Sequence, residues 1–183
     1  SFFRRLDFSP DGALLATPAG LFPSSSDEHE KATTASTSAT YIYGRANFSR
    51  ANTPIAALPG HKSTVVVVRF SPILYGLRPT SLNTERGHPL HVAGKDHEEP
   101  MSASASVPVS VIGLPYRMVY AVATQESVWI YDTQQAGPLC CFSNLHYASF
   151  TDLTWSPDGQ SLMMSSSDGY CSLAVFDYHE LGR

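Results

Sequence analysis

The sequence predicts an all-β fold made of repeated, four-stranded antiparallel units. Three observations lead there. One phrase recurs along the chain: Leu6-Asp7-Phe8-Ser9-Pro10-Asp11-Gly12, then Val68-Arg69-Phe70-Ser71-Pro72, then Leu153-Thr154-Trp155-Ser156-Pro157-Asp158-Gly159. Apolar and polar residues alternate around each of these, which is the period of a half-buried strand. No segment sustains an apolar period of 3.6 residues, so helix content should be low.

Each recurring phrase reads as a short strand running into a tight turn. Pro presets φ at the second turn position, and Gly accepts the positive φ needed later. Second strands follow at Ala13–Ala16, at Met118–Ala123 after a long detour, and at Ser161–Ser165. Third strands are expected at Tyr41–Tyr43, Ser127–Asp132 and Leu173–Asp177, and weaker fourth strands at Ile55–Leu58 and Leu139–Phe142.

Spacing tests the repeat. Phe8 to Phe70 is 62 residues and Phe70 to Trp155 is 85. Leu21 to Ala39 supplies 19 residues rich in Ser, Thr and charge; removing them leaves 43. Ile73 to Pro115 supplies 43 residues rich in Pro, His and Ser; removing those leaves 42. Both remainders fall within the roughly 40–45 residues of a WD-repeat blade. Residues 1–183 are therefore expected to form part of one propeller domain, with insertions at about 21–39 and 73–115.

Particular residues carry the resemblance to WD repeats. Gly60-His61 with Val65, Val68, Phe70, Ser71 and Pro72 is similar to the opening of such a blade, and Tyr131-Asp132 and Phe176-Asp177 stand where a Trp-Asp pair usually does. Gln125 replaces the turn Asp and Tyr43-Gly44 replaces the pair in the first unit, so the usual buried His–Ser/Thr–Asp–Trp hydrogen-bond network is expected to be incomplete. Three units do not close a ring of four to eight blades. About three blades of a larger ring are expected, and the opening Ser1-Phe2-Phe3, without Met, reads as a piece of a longer protein. An open arc exposes sheet edges, so this piece alone is expected to be poorly soluble.

Composition sets limits on function. Hydrophobic residues make up 43% and charged residues 15%, and the net charge of -4 argues against direct contact with a phosphate backbone, which needs clustered Lys and Arg. Cys140, Cys141 and Cys171 are an odd number, two of them adjacent, and suit reduced thiols better than a disulfide framework. No apolar run reaches the roughly 18 residues of a membrane span. His88, His91, Asp96, His97, Glu98 and Glu99 crowd one loop, but a Pro- and Ser-rich segment without Cys reads as a solvated insertion and not a metal site. No nucleophile elbow or phosphate-cradling loop occurs, so neither enzyme activity nor a cofactor is expected. Ser9, Ser71 and Ser156 each precede Pro; their repetition at one turn argues for a structural role over phosphorylation. Trp129, Trp155, Phe8, Phe70 and Tyr120 read as core or inter-blade packing.

The candidate contact residues lie on loops expected to share one face of the arc. They are Gln125 and Glu126 in one turn, His146 and Tyr147 between units, and Asp168 and Tyr170 in the last turn. Exposed aromatics supply large contact area at protein interfaces.

A closer resemblance rests on stretches read together and in order: Ser1-Phe2-Phe3-Arg4-Arg5-Leu6, Thr17-Pro18-Ala19-Gly20, Leu114-Pro115-Tyr116-Arg117, Val122-Ala123-Thr124, Tyr131-Asp132-Thr133-Gln134-Gln135, Ser143-Asn144-Leu145-His146-Tyr147 and Ser167-Asp168-Gly169-Tyr170-Cys171-Ser172. They resemble the WD-repeat middle subunit of chromatin assembly factor one. The resemblance implies a nuclear, non-enzymatic scaffold in a histone chaperone. Its implied partners are a large subunit, a second, small WD-repeat subunit, and histones three and four. The complex would deposit these histones on DNA during replication and repair, touching DNA only indirectly. It also implies a second histone chaperone, met through a segment outside this chain. The alternatives are another WD-repeat scaffold, such as a silencing-linked histone-deposition propeller or a ubiquitin-ligase substrate receptor.

Overall fold

A computed structural model describes residues 3–23, 36–48, 53–79, 112–177 and 179–182. They form three antiparallel sheets. The first runs β1 (Asp7–Phe8), β2 (Leu14–Pro23), β3 (Ser36–Gly44) and β4 (Ala56–His61). The second runs β5 (Val65–Tyr75), β6 (Arg117–Thr124), β7 (Ser127–Asp132) and β8 (Cys140–Ser143). The third has β9 (Phe150–Trp155), β10 (Ser161–Ser166) and β11 (Cys171–Val175). Each strand pairs with the next in sequence, as the repeat requires. One 3-10 turn, Arg45–Asn47, is the only helical element among the described residues.

The recurring turn explains itself at atomic level. Ser9 Oγ accepts the Leu14 N–H at 2.8 Å, Asp11 Oδ1 accepts the Ala13 N–H at 2.9 Å, and Gly12 takes φ 69°. The third sheet repeats it: Ser161 N–H donates to Ser156 Oγ at 2.9 Å, Gln160 N–H to Asp158 Oδ1 at 3.0 Å, and Gly159 takes φ 68°. The Ser hydroxyls are thus occupied as turn ties. In the middle unit Pro72 is not followed by Asp-Gly, and no tight turn forms. Instead β5 runs through Ser71-Pro72 on a bulge and re-pairs Leu74 with Met118 and Tyr75 with Arg117. A bulge is where a strand tolerates Pro, and Ser71 Oγ bonds Tyr75 Oη at 2.9 Å in the interior.

The strands also run further than the spacing suggests. After a bulge between Thr17 and Gly20, β2 and β3 stay paired from Gly20–Ala39 to Pro23–Ser36, inside the stretch assigned to the first insertion. Likewise Ile73–Tyr75 belong to β5, and Ile112, Leu114 and Tyr116 pack half-buried against the core. What is left of the two stretches, 24–35 and 80–111, lies outside the described residues, and so do His88, His91, Asp96, His97, Glu98 and Glu99.

The second sheet is sandwiched by the other two. On β6, which is buried throughout, Met118, Tyr120 and Val122 face the first sheet while Val119, Ala121 and Ala123 face the third. Side chains alternate faces along a strand, so two cores need an apolar residue at every position. On β7, Trp129 and Tyr131 turn one way and Val128 and Ile130 the other. Phe70, Tyr120 and Tyr131 stack with centroids 5.1 and 5.7 Å apart. Trp155 donates Nε1–H to the Arg69 carbonyl at 3.0 Å and stacks on Phe176. Phe8 departs from the expected packing: it is 53% exposed. Its neighbour Asp7 turns towards the second sheet and accepts the Phe70 N–H at 2.9 Å, which puts Phe8 on the opposite face.

The sheets meet along their first strands. Arg5 bridges Val67 in parallel, with Arg5 N–H to the Val66 carbonyl and Val68 N–H to the Arg5 carbonyl both at 3.0 Å. Further along, Arg117 is fully buried against Asp132, Nη1 to Oδ2 at 2.8 Å. Its Nε and Nη2 donate to the carbonyls of Gly76 and Leu181, tying the chain beyond β11 back to the second sheet.

Candidate interaction surface

The turns β6–β7 and β10–β11 lie at the same end of the sheets as the links between sheets, residues 62–64 and 144–149. This end is knitted by main-chain bonds: Gln125 N–H to the Thr64 carbonyl at 3.1 Å, Phe150 N–H to the Gln125 carbonyl at 3.0 Å, and Ser167 N–H to the Ser149 carbonyl at 3.0 Å. All six candidate residues belong to it, with distinct roles.

Asp168 is the hub of the third sheet's corner. Its Oδ1 accepts the Tyr170 N–H at 3.0 Å, and its Oδ2 accepts the Tyr147 N–H at 3.1 Å and faces His146 Nδ1 at 3.0 Å. The carboxylate can only accept, so it holds the imidazole proton on Nδ1, leaving Nε2 to accept from Ser172 Oγ at 2.8 Å. The Tyr170 N–H first, then the bonds from His146 and Tyr147, hold the Asp168 carboxyl below its ordinary value. The side chains of His146 and Asp168 are only 3% and 11% exposed. His146 also packs edge-on to Phe150, centroids 5.2 Å apart. These two residues, expected on the exposed surface, are instead interior ties, and their mutual hydrogen bonds satisfy the polar atoms that burial would otherwise strand.

What they present is a pair of tyrosines. Tyr147 is fully exposed and Tyr170 is 72% exposed, with Leu145 nearby in the same loop at 44%. Asn144, just before them, is the one described non-glycine with positive φ, 58°. Holding such a conformation needs support from its surroundings.

The second sheet solves the same corner differently. Gln125 stands in place of the turn Asp, and Thr124 Oγ1 takes over, accepting the N–H groups of Glu126 at 3.2 Å and Ser127 at 3.0 Å. Trp129 Nε1–H donates to Ser127 Oγ at 2.9 Å. His61 is left out: it is buried, edge-on to Trp129 and Tyr131, and its Nε2 has no hydrogen-bond partner among the described residues. Burial pushes its pKa down. The His–Ser/Thr–Asp network is thus incomplete in the second sheet, as expected, but its His, Asp and Ser are joined in the third. Glu126 is exposed and Gln125 half-buried.

No group of three or more His, Cys, Asp or Glu among the described residues is placed to hold a metal. Cys140 is half-buried and Cys141 and Cys171 are exposed, all as free thiols; burial pushes the thiols of Cys140 and Cys141 up.

Three sheets joined along their first strands, each meandering in sequence order, match a known family model. Residues 1–181 fit the CAF1B/HIR1 beta-propeller domain. The chain belongs to this family. It is 42% identical over 182 residues to the CAF1B-type subunit of chromatin assembly factor 1 in Mus musculus, covering all of this chain and 27% of the relative. Against the same subunit in Schizosaccharomyces pombe it is 43% identical over 183 residues, again its whole length, and 30% of the relative. Protein HIR1 of Eremothecium gossypii is 27% identical over 183 residues, with 20% of its length covered. The chain spans less than a third of the curated relatives it matches. The family resemblance read from the Leu114–Arg117 and Ser167–Ser172 stretches is therefore sound, and so is the β-propeller.

Proposed function

We propose that this chain is the propeller part of a non-enzymatic WD-repeat scaffold in a nuclear histone chaperone, of the kind represented by the middle subunit of chromatin assembly factor 1. The observation that carries the reading is the 42–43% identity to chromatin assembly factor 1 subunits along the whole chain. In this reading the protein joins a large subunit and a small WD-repeat subunit and helps to place histones three and four on DNA during replication and repair. It touches DNA only indirectly and works by binding and positioning, with no cofactor. A second histone chaperone engages a segment outside this chain. The net charge of -4 suits a basic partner, and complementary charge speeds encounter.

The contact residues in this reading are Gln125, Glu126, Tyr147 and Tyr170; His146 and Asp168 position the two tyrosines. A silencing-linked histone-deposition propeller is the second reading, favoured by the weaker match to HIR1 at 27% identity. Reconstitution separates them. The full-length protein, mixed with purified large and small chromatin-assembly subunits and histones three and four, should elute as one complex. Elution of the full-length protein alone overturns the assignment.

A further inference from the structure

A cleft opens where the three sheets converge at the end that carries the candidate residues, beside the strand-to-strand seam. It encloses about 360 Å³ and is separate from the tyrosine pair. Its floor is apolar, formed by Val66 and Phe150, both buried, and Phe3 stands over it as a wall 73% exposed. Around the mouth are three polar side chains whose capacity is not used up. Gln125 has its backbone bonded on both sides, but its side-chain amide makes no hydrogen bond among the described residues. The Ser149 carbonyl is bonded by Ser167 while its hydroxyl is unengaged among the described residues. Arg5 uses Nε on Asp152 at 3.3 Å and Nη1 on the Thr151 carbonyl at 3.3 Å, which leaves Nη2 available for a further bond.

Charge decides what fits. Arg69 also holds Asp152, at 3.4 Å, so two guanidiniums share one carboxylate, and that carboxylate additionally accepts the Leu153 N–H. The pairing leaves one positive charge uncompensated at the mouth of an apolar hollow. An apolar pocket with a few convergent polar groups is the usual form of a recognition site, and here these groups are mainly donors. A guanidinium edge matches a carboxylate in shape and charge. We infer that the cleft docks an extended peptide segment that places an apolar side chain on Val66 and Phe150 and a neighbouring carboxylate on Arg5, Gln125 and Ser149.

The inference rests on the reading of this chain as a binding module, but not on which complex it joins. It is tested with the full-length protein on an array of twelve-residue peptides. Each carries a central Leu or Phe flanked by Asp and Glu, by Lys and Arg, or by Ser. Acidic peptides should bind at least tenfold more tightly than the Ser series, and the basic series most weakly. Gln125→Trp, which fills the cleft, and Arg5→Ser, which removes the charge, should each lower acidic-peptide binding at least fivefold, while Tyr147→Ser leaves it unchanged. Two variants guard against one that disturbs the turn; each is checked by its melting temperature. No acidic preference, a basic preference, or binding indifferent to both variants overturns the inference. A blank array alongside intact complex formation sinks the cleft alone. Acidic binding without complex formation sinks the chaperone assignment and keeps the cleft.

Discussion

Replacing Arg117 with Met should loosen the seam between the second and third sheets more than any surface change. Arg117 and Asp132 are 0% and 1% exposed, and their 2.8 Å contact is the one ion pair buried at both ends among the described residues. Met keeps much of the bulk but removes every donor. Asp132 then remains buried with only the N–H groups of Gln134 and Gln135, each at 3.0 Å on Oδ1, and the Gly76 and Leu181 carbonyls lose their donor. Breaking one side of a buried pair costs about 3–5 kcal/mol, because the remaining charge has no compensation. Hydrogen exchange of the full-length protein reads this locally. At about 1.4 kcal/mol per tenfold, the amides of Met118, Gln134 and Gln135 should exchange roughly a hundred- to a few-thousand-fold faster. Arg117→Lys keeps the charge without the fork and should fall in between. Replacing Asp132 by Leu as well removes the stranded charge, so the double variant should cost less than the two single costs summed; it still orphans the Gln134 and Gln135 N–H groups. Exchange changed less than tenfold in Arg117→Met would refute the reasoning.

Further outcomes follow from the same contacts. Ser9→Ala removes a buried hydroxyl that ties the first turn and should cost about 1–2 kcal/mol in denaturant unfolding, whereas a proline-directed kinase should leave native Ser9 unmodified. His61 is held below 6.5 by burial, so the unfolded chain binds the extra proton; stability should be full above pH 6.5 and fall as pH drops below it. His61→Phe should flatten that slope in melts between pH 5 and 7, and an unchanged slope assigns it elsewhere. Tyr147→Ser with Tyr170→Ser should leave the melting temperature within about 0.5 kcal/mol equivalent yet weaken complex formation by about 2 kcal/mol or more. Asp168→Lys should lower both, since it unties His146 as well as the tyrosines. Deleting 83–106 should leave folding intact, read as an unchanged melting temperature; a large fall places that stretch in the core.

Local signals in the sequence are read correctly where the chemistry is local. Ser-Pro-Asp-Gly is a self-contained turn whose bonds span at most five residues, so the strands beside Gly12 and Gly159 are legible. The strand through Ser71-Pro72 is not, because its stability comes from Met118 and Arg117, more than forty residues away. The extension of β2 and β3 is hidden in short residues, Thr, Ala, Gly and Ser, whose alternation carries little hydropathy contrast. At the candidate surface, Tyr147 and Tyr170 were readable as exposed loop aromatics. The burial of His146 and Asp168 was not, since an Asp-Gly turn looks like surface and the partners of His146 lie 22 and 26 residues away in sequence. Arg117 carried one signal that could have been used: a charged residue at the head of an apolar run must find a partner, and Asp132 closes the neighbouring strand.

The most direct test of the chaperone assignment is tagged recovery of the full-length protein from nuclear extract, with co-purifying proteins quantified by mass spectrometry. The large chromatin-assembly subunit and histones three and four should be recovered with it, and all should fall together when Tyr147 and Tyr170 are both changed to Ser. Recovery of a ligase or an unrelated scaffold, with neither histone present, would contradict the chaperone assignment and leave only the propeller.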